Sequence, residues 1–515
     1  MSKTGRALIR SAVGQSTAMA VTLITGMILL PVILHHLGDR LYGAWVLVSM
    51  LLGYYGLLDF GLSYAVSRFV SQALGRDDKD EADGIVTTSF YLYSLAGTIS
   101  FIITIAVAVL SRHFVDNPEE VVLFRNVFLV TGFSLGISLP ARCYLGILNA
   151  HLRYDISSIV DICSALLRTI LFVGILSYGG KLFALALAAA AINLVNGGAT
   201  IILAQWVHGR TKLNLSSVTH KRVVKLLKYG FYAFIAQISD LLRLNAYPFI
   251  ISSFLGLQAV TPYGIAENLK NIIVRFTASI LSTLAPVFSR HESRKDQDAL
   301  RWTYFFTYKV SCYVGVFSVG MMAILGANFV LRWVGDNYAI VIPILYVLIG
   351  GCFWGIIQIP TVTFLYGTSG NKFYAISNTI EGLTNIILSI ILVRPYGLMG
   401  MAWSMVIATA LTKTLIQPVW ICRALKISLL RYHFWHTLPN VSKPIIFICV
   451  VFVATRPFLT PNYFCLAVVG VGAFLFYLPY IMLIGFNAQE RYLFSAAIMG
   501  SKAIQQGPKS EQEQA

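Results

Sequence analysis

The stretch PARCYLGILNAHLRYDISSIVD, residues 140–161, returns in outline as PTVTFLYGTSGNKFYAISNTIE, residues 360–381. Pro140, Leu145, Tyr154, Ile156, Ser157 and the acid Asp161 recur as Pro360, Leu365, Tyr374, Ile376, Ser377 and the acid Glu381, each displaced by 220 positions. Working outward, Tyr178-Gly179 is matched by Tyr396-Gly397. At the start of each half, Leu37-Gly38 with Tyr42-Gly43 is matched by Leu255-Gly256 with Tyr263-Gly264. Single apolar matches arise by chance, but six positions held in one register indicate a duplication.

Composition says what was duplicated. Of 515 residues, 57% are hydrophobic and 12% charged, whereas soluble domains carry about 25% charged residues. Lipid is therefore the solvent of most of the chain. A spanning helix needs roughly 20 largely apolar residues, and fourteen segments qualify: 11–36, 42–73, 84–111, 120–149, 155–177, 182–207, 226–254, 259–289, 302–331, 338–367, 373–393, 398–422, 444–460 and 463–485. The first is too long for a signal-peptide core and lacks a small-residue cleavage site, so it reads as a span. The expected fold is an all-α polytopic membrane protein of about 14 transmembrane helices. Two six-helix lobes are related by a parallel internal repeat, with two further helices at the C-terminal end. The expected divisions are an N-terminal lobe over 1–208, a basic cytoplasmic linker over 209–225, a C-terminal lobe over 226–425, spans 13 and 14 within 426–485, and a cytoplasmic tail over 486–515. Six spans per repeat is an even number, so both repeats enter the membrane from the same side. Such an arrangement places a substrate site between the lobes.

The net charge of +17 points to membrane topology rather than nucleic acid, because Lys and Arg accumulate on the cytoplasmic side. With the N-terminus inside, cytoplasmic segments carry about four times the Lys and Arg of the other side, which has only Arg40, Arg112, Lys181, Arg332, Arg394 and Arg456. N-terminus and C-terminus are both expected in the cytoplasm. The densest basic patch, Arg210, Lys212, Lys221, Arg222, Lys225 and Lys228, is a topology signal and lobe linker that could also bind anionic lipid. Seven cysteines show no metal-type or paired spacing and read as small core residues. There is no phosphate loop, so ATP does not drive the chain directly. No cofactor is expected.

Charges inside spans are costly, by about 2.5–3.5 kcal/mol at a helix centre, and mark pathways or partners. Here they are Arg142, Arg168, Arg243, Lys270, Arg275 and Lys309, with the acids Asp59, Asp161, Asp240, Glu267 and Glu381. Arg68, Arg125, Asp155 and Lys413 lie near span ends, where snorkelling accounts for them. Helical spacing pairs Asp161 with Arg168, Asp240 with Arg243 and Glu267 with Lys270; Glu267, Asn271 and Arg275 form a polar stripe. Mutual neutralisation and a functional role are about equally weighted for any one pair. Arg142 and Lys309 have no acid at helical spacing, and Glu381 has no basic residue there. A basic surplus suits an anionic substrate, since guanidinium groups grip phosphate oxygens in pairs. The candidate substrate-binding residues are Arg142, Arg243, Arg275, Lys309 and Lys270. The candidate ion-coupling residues are Glu381, Asp161, Asp240, Glu267 and Asp59. Of these Glu381 is the preferred proton carrier.

Three stretches carry a family resemblance: HHLGDRLYGAWVLVSMLLGYYGLLDFGLSYAVSRF (35–69), DLLRLNAYPFIISSFLGLQAVTPYGIAENL (240–269) with LAPVFSR (284–290), and 360–410 with its Gly370–Lys372 turn and RPYGLMGMAWS. The chain resembles the O-antigen-type polysaccharide flippases of the multidrug/oligosaccharidyl-lipid/polysaccharide exporter superfamily over about residues 10–425. The resemblance implies a flippase in the bacterial cytoplasmic membrane rather than an enzyme. Its substrate would be an undecaprenyl-diphosphate-linked oligosaccharide, moved to the outer leaflet by cation-coupled alternating access for surface polysaccharide such as lipopolysaccharide or exopolysaccharide. It also implies glycosyltransferases and a polysaccharide polymerase as partners. Span 1 lacks the buried Arg of peptidoglycan-precursor flippases, which argues against a lipid II substrate. A drug or cation antiporter of the same superfamily would have an acid-rich cavity. A membrane glycosyltransferase or polymerase would need a large outward loop, and none is long enough here.

Overall fold

The computed structural model describes residues 3–113, 118–151, 153–209, 211, 213–281, 297–367, 371–488 and 490–491. These form two compact units, 1–261 and 262–515.

The first unit contains α1 (Lys3–Gly53), a 3-10 turn (Tyr54–Asp59), α2 (Leu62–Leu74), α3 (Lys79–Val109) and α4 (Pro118–Ser138). After these come α5 (Arg142–Ala150), α6 (Tyr154–Ser177), α7 (Leu182–His208), α8 (His220–Asn245) and α9 (Tyr247–Leu255). Between α4 and α5 the helix tightens into a 3-10 turn, Leu139–Ala141, because Pro140 has no N–H to give and its ring crowds the preceding turn. Asp78 caps α3, accepting from Glu81 N at 2.9 Å. The core gathers Leu62, Val66, Val70, Ile85, Val86, Tyr93 and Tyr144.

The division falls inside α10 (Leu257–Leu281), just before Pro262. The second unit continues with α11 (Gln297–Val334), α12 (Val341–Ile357), α13 (Ile359–Gly367), α14 (Asn371–Leu411), a π turn (Thr412–Ile416) and α15 (Gln417–Ala424). Beyond these lie α16 (Leu429–Arg431), a second π turn (Tyr432–Thr437), α17 (Leu438–Thr455) and α18 (Tyr463–Tyr480). Its core is aromatic and hydrogen-bonded: the Tyr304 hydroxyl meets Thr361 Oγ1 at 2.8 Å and the Tyr432 hydroxyl at 3.1 Å.

The repeat survives as backbone geometry. Where Pro140 breaks the first unit, Pro360 follows the junction of α12 and α13, which bends by 40°. Gly38 (φ 71°, ψ 172°) and Gly256 (φ 84°, ψ 166°) adopt nearly the same left-handed conformation at matching positions. Side chains with a Cβ avoid that region, which explains why the Leu-Gly pair recurs.

Nine helices among the described residues are long and apolar enough to cross a membrane, and one bent pair would make a tenth. Two of the nine, at 46 and 52 residues, would be about 69 and 78 Å long at 1.5 Å per residue. Each is more than twice the roughly 30 Å hydrocarbon thickness, so each holds two spans. Gly38 and Gly397 interrupt them. Expected span 8 runs onto residues outside the description. The count is thus compatible with about fourteen. Ile102, Ile170, Ile202, Val453 and Phe476 stay exposed, as helix faces bathed in lipid should.

Candidate functional site

Within the first unit, helix breaks bring polar groups into the membrane-spanning region. Phe60 (φ 46°) and Gly61 (φ 68°) are both left-handed and stop the 3-10 turn that ends in Asp59. Asp59 is 3% exposed. Its Oδ1 accepts from Ser63 Oγ at 2.6 Å and from the Tyr93 hydroxyl. Among the described residues it has no ion pair, so neutral donors alone satisfy this carboxyl.

Arg142 begins α5 directly after the Pro140 break. Its positive charge acts on the Tyr93 hydroxyl, and among the described residues its guanidinium makes no hydrogen bond and no ion pair. It lines a cavity of about 190 Å³ with Ser138, Asn193, Asn196, Thr200 and Tyr55. Asn193 Nδ2 donates to Ser138 Oγ at 3.1 Å and Asn196 Nδ2 to Ser164 Oγ at 2.9 Å. Sequence reading named Arg142 but missed the two asparagines. Their three-residue spacing on α7, the same side of Ala-rich turns, was the available signal.

On α6, Asp161 and Arg168 are both exposed and no ion pair joins them. The expected pairing is corrected. Seven residues put them two turns apart, about 10.5 Å along the axis, too far for a short carboxylate to close. Arg68, placed near a span end, lies over the Tyr229 ring at 4.7 Å.

In the second unit acids and bases pair more closely than the sequence suggested. Lys270 Nζ is 2.5 Å from Glu267 Oε1, and both are buried. Asn271 Nδ2 donates to the same oxygen at 3.3 Å, while Glu267 Oε2 is buried without a hydrogen bond. Lys270, expected to bind substrate, is therefore already neutralised. Lys309 is paired likewise: its ammonium is 2.7 Å from Glu490 Oε2, an acid 181 positions away that helical spacing could not find. Glu381, expected to lack a basic partner, lies 3.1 Å from Lys413 Nζ, with Glu381 1% and Lys413 4% exposed. Thr409 Oγ1 donates to Glu381 Oε1 at 3.1 Å. Snorkelling does not account for Lys413. It lies in the Thr412–Ile416 π turn, and such turns concentrate at functional sites. Arg275 is exposed. The side chains of Arg243 and Asp240 lie outside the described residues.

A second polar cluster in the first unit joins three helix ends. His151 Nε2 and His208 Nδ1 are 2.9 Å apart, and His208 Nε2 is 3.0 Å from Asp83 Oδ1. Glu81 accepts from Arg222 Nη2 at 2.7 Å and from Lys225 at 3.4 Å, which absorbs part of the basic linker.

The family described as "Polysaccharide biosynthesis protein" matches residues 9–292. The chain is similar to the uncharacterized membrane protein EpsK of Bacillus subtilis (strain 168), 22% identical over 79% of this chain and 81% of that protein. It is also similar to a Shigella flexneri protein provisionally described as an O-antigen transporter, 23% identical over 74% of this chain and 90% of the relative. Among solved structures, the lipid II flippase MurJ in an inward closed conformation superposes with a TM-score of 0.72 at 16% identity, covering 92% of this chain and 98% of that one. An inward-facing multidrug resistance MATE transporter superposes with a TM-score of 0.69 at 16% identity, covering 81% of this chain and 99% of the other. These likenesses show the fold: an all-helical, multi-pass membrane architecture.

Proposed function

Because the chain belongs to the polysaccharide biosynthesis protein family, we propose that it flips an undecaprenyl-diphosphate-linked oligosaccharide from the cytoplasmic to the outer leaflet of the bacterial cytoplasmic membrane. The observation that carries this reading is Arg142, a guanidinium without an ion pair among the described residues, within a membrane-spanning region and beside a polar cavity. A charge costs about 2.5–3.5 kcal/mol at that depth, so an unpaired one is retained for something that arrives. A diphosphate at a lipid–sugar junction is such an anion, and a guanidinium holds its oxygens in a bidentate way. Arg243 and Arg275 are further candidate anion ligands in the chain. Lys270 and Lys309 are left out, since Glu267 and Glu490 already neutralise them.

Transport proceeds by alternating access of the two lobes, with both termini in the cytoplasm, and is coupled to a cation. Asp59 takes the coupling role first given to Glu381, which is held by Lys413. Among the described residues the Asp59 carboxyl accepts from Ser63 and Tyr93 and has no ion pair to break.

Deleting the gene should abolish surface polysaccharide and accumulate lipid-linked oligosaccharide on the inner leaflet. Arg142→Ala should fail to complement at normal protein level, and Arg142→Lys should restore only part of the function, since an ammonium cannot reproduce the planar fork. Normal polysaccharide in the deletion strain, with no paralogue present, sinks the assignment.

A further inference from the structure

The cavity beside Arg142 has a chemistry that phosphate alone does not use. At about 190 Å³ it is smaller than the ~300–1,000 Å³ typical of drug-sized ligands. It suits one compact polar group. Arg142 offers donors only. Asn193 and Asn196 have each committed an amide N–H, to Ser138 and to Ser164. That orients both amides and leaves each with its carbonyl oxygen as an acceptor and a second N–H as a donor; neither oxygen is among the buried oxygens without a partner. The diphosphate diester of a lipid carrier, ionised at neutral pH, has no hydrogen to donate to them. Hydroxyl groups do. Leu52 and Leu145 supply an apolar wall for the C–H face of a ring.

We propose that this cavity of the first unit, formed by Arg142, Asn193 and Asn196, is a subsite for a sugar whose oxyanion stands beside free hydroxyls. The group is either the hexose 1-phosphate at the junction with the lipid or a uronate within the glycan. This rests on the transport reading for its biological meaning, but not for its test. The oxyanion lies on Arg142 and ring hydroxyls donate to the two asparagine oxygens. Arg142 thus supplies charge recognition, while Asn193 and Asn196 discriminate a sugar phosphate from phosphate.

The experiment uses the purified full chain in lipid nanodiscs and saturation-transfer NMR titrations with glucose 1-phosphate, galactose 1-phosphate, glucuronate, glucose and inorganic phosphate. At least one sugar phosphate or the uronate should bind more tightly than phosphate and more tightly than glucose. A sugar phosphate leading assigns the junction sugar; glucuronate leading assigns an acidic residue of the glycan. Asn193→Ala and Asn196→Ala should each weaken that ligand by about three- to tenfold, one hydrogen bond's worth, and weaken phosphate less. Retained phosphate binding also reports that the variants are folded. Arg142→Ala should weaken both. The proposal is overturned if phosphate binds as tightly as every sugar acid, or if the asparagine variants bind all probes as the parent does. Binding as expected alongside a deletion strain with normal polysaccharide would sink the transport reading and leave the subsite standing. A deletion phenotype without sugar binding would do the reverse.

Discussion

Single residues decide where charge can be tolerated. Glu381 and Lys413, 3.1 Å apart and almost wholly enclosed, illustrate a pair that is expensive to break and cheap to replace. Removing one partner strands the other charge, at about 3–5 kcal/mol, whereas replacing both with apolar groups of similar volume is near neutral. Lys413→Met should therefore lower thermal stability severely, and Lys413→Met with Glu381→Leu should recover most of it. Melting followed by fluorescence-detected size exclusion gives the comparison; a single variant as stable as the parent would contradict the pairing. Sequence reading found both charges but not their bond. Helical spacing searches only one turn above and below, and Lys413 reaches Glu381 from 32 positions away, past the Gly397 interruption. The same blindness hid Glu490 from Lys309, although Asn487-x-x-Glu490 is a legible capping box. Glu490 N donates to Asn487 Oδ1 and Asn487 N to Glu490 Oε2, each at 2.8 Å. Arg142 was identified from sequence because absence of an acid at helical spacing coincided there with absence of an ion pair among the described residues.

Elements were more legible than their polar contacts, since periodicity and punctuation are local. The repeated Pro140 and Pro360 and the repeated Leu-Gly pairs located breaks that recur in the backbone. Gly256→Ala should cost about 1–2 kcal/mol, the penalty of placing a Cβ in the left-handed region, and circular-dichroism melts would read it. What joins element ends was not legible, because it depends on which helices become neighbours. His151, His208 and Asp83 come from the ends of α5, α7 and α3, each hidden from the others in sequence. Burial, then the His208 ring and the Arg153 charge, hold the His151 imidazole below its ordinary value. Arg153 is itself tied to Asp155 at 3.1 Å. A depressed histidine binds fewer protons folded than unfolded, so its contribution is present above the unfolded value near 6.5 and is lost as pH falls through the folded one. The protein should melt earlier at pH 5.5 than at pH 7.5. His151→Gln should reduce that difference. Equal pH dependence in parent and variant would show that the histidine chain carries no linkage.

At the scale of the whole molecule, the question is what α17 and α18 contribute, since they stand outside the duplication. Their contacts are those of structural members of the second unit. Tyr477 on α18 donates to Tyr313 O at 2.7 Å and stacks on Phe317 at 4.5 Å. Thr437, just before α17, meets the Tyr308 hydroxyl at 2.9 Å, and Tyr432 bonds both Tyr304 and Gln358 at 3.1 Å. Glu490 neutralises Lys309. Every one of these partners on α11 and the α12–α13 junction belongs to the duplicated part of the chain. Ending the chain after Ala424 would strip the Tyr308 hydroxyl, the Gln358 amide and the Lys309 ammonium of these partners, at about 1–3 kcal/mol for each neutral group and more for the charge. Together with the lost packing, such losses are comparable to the ~5–15 kcal/mol by which a domain is stable. A chain ending at Ala424 should therefore fail to accumulate in the membrane, whereas one ending at Arg491, the last residue with a described contact, should accumulate normally. Blots of membrane fractions separate the two cases. If the shorter chain accumulated and complemented a deletion strain, α17 and α18 would be accessories to the second unit rather than part of its core.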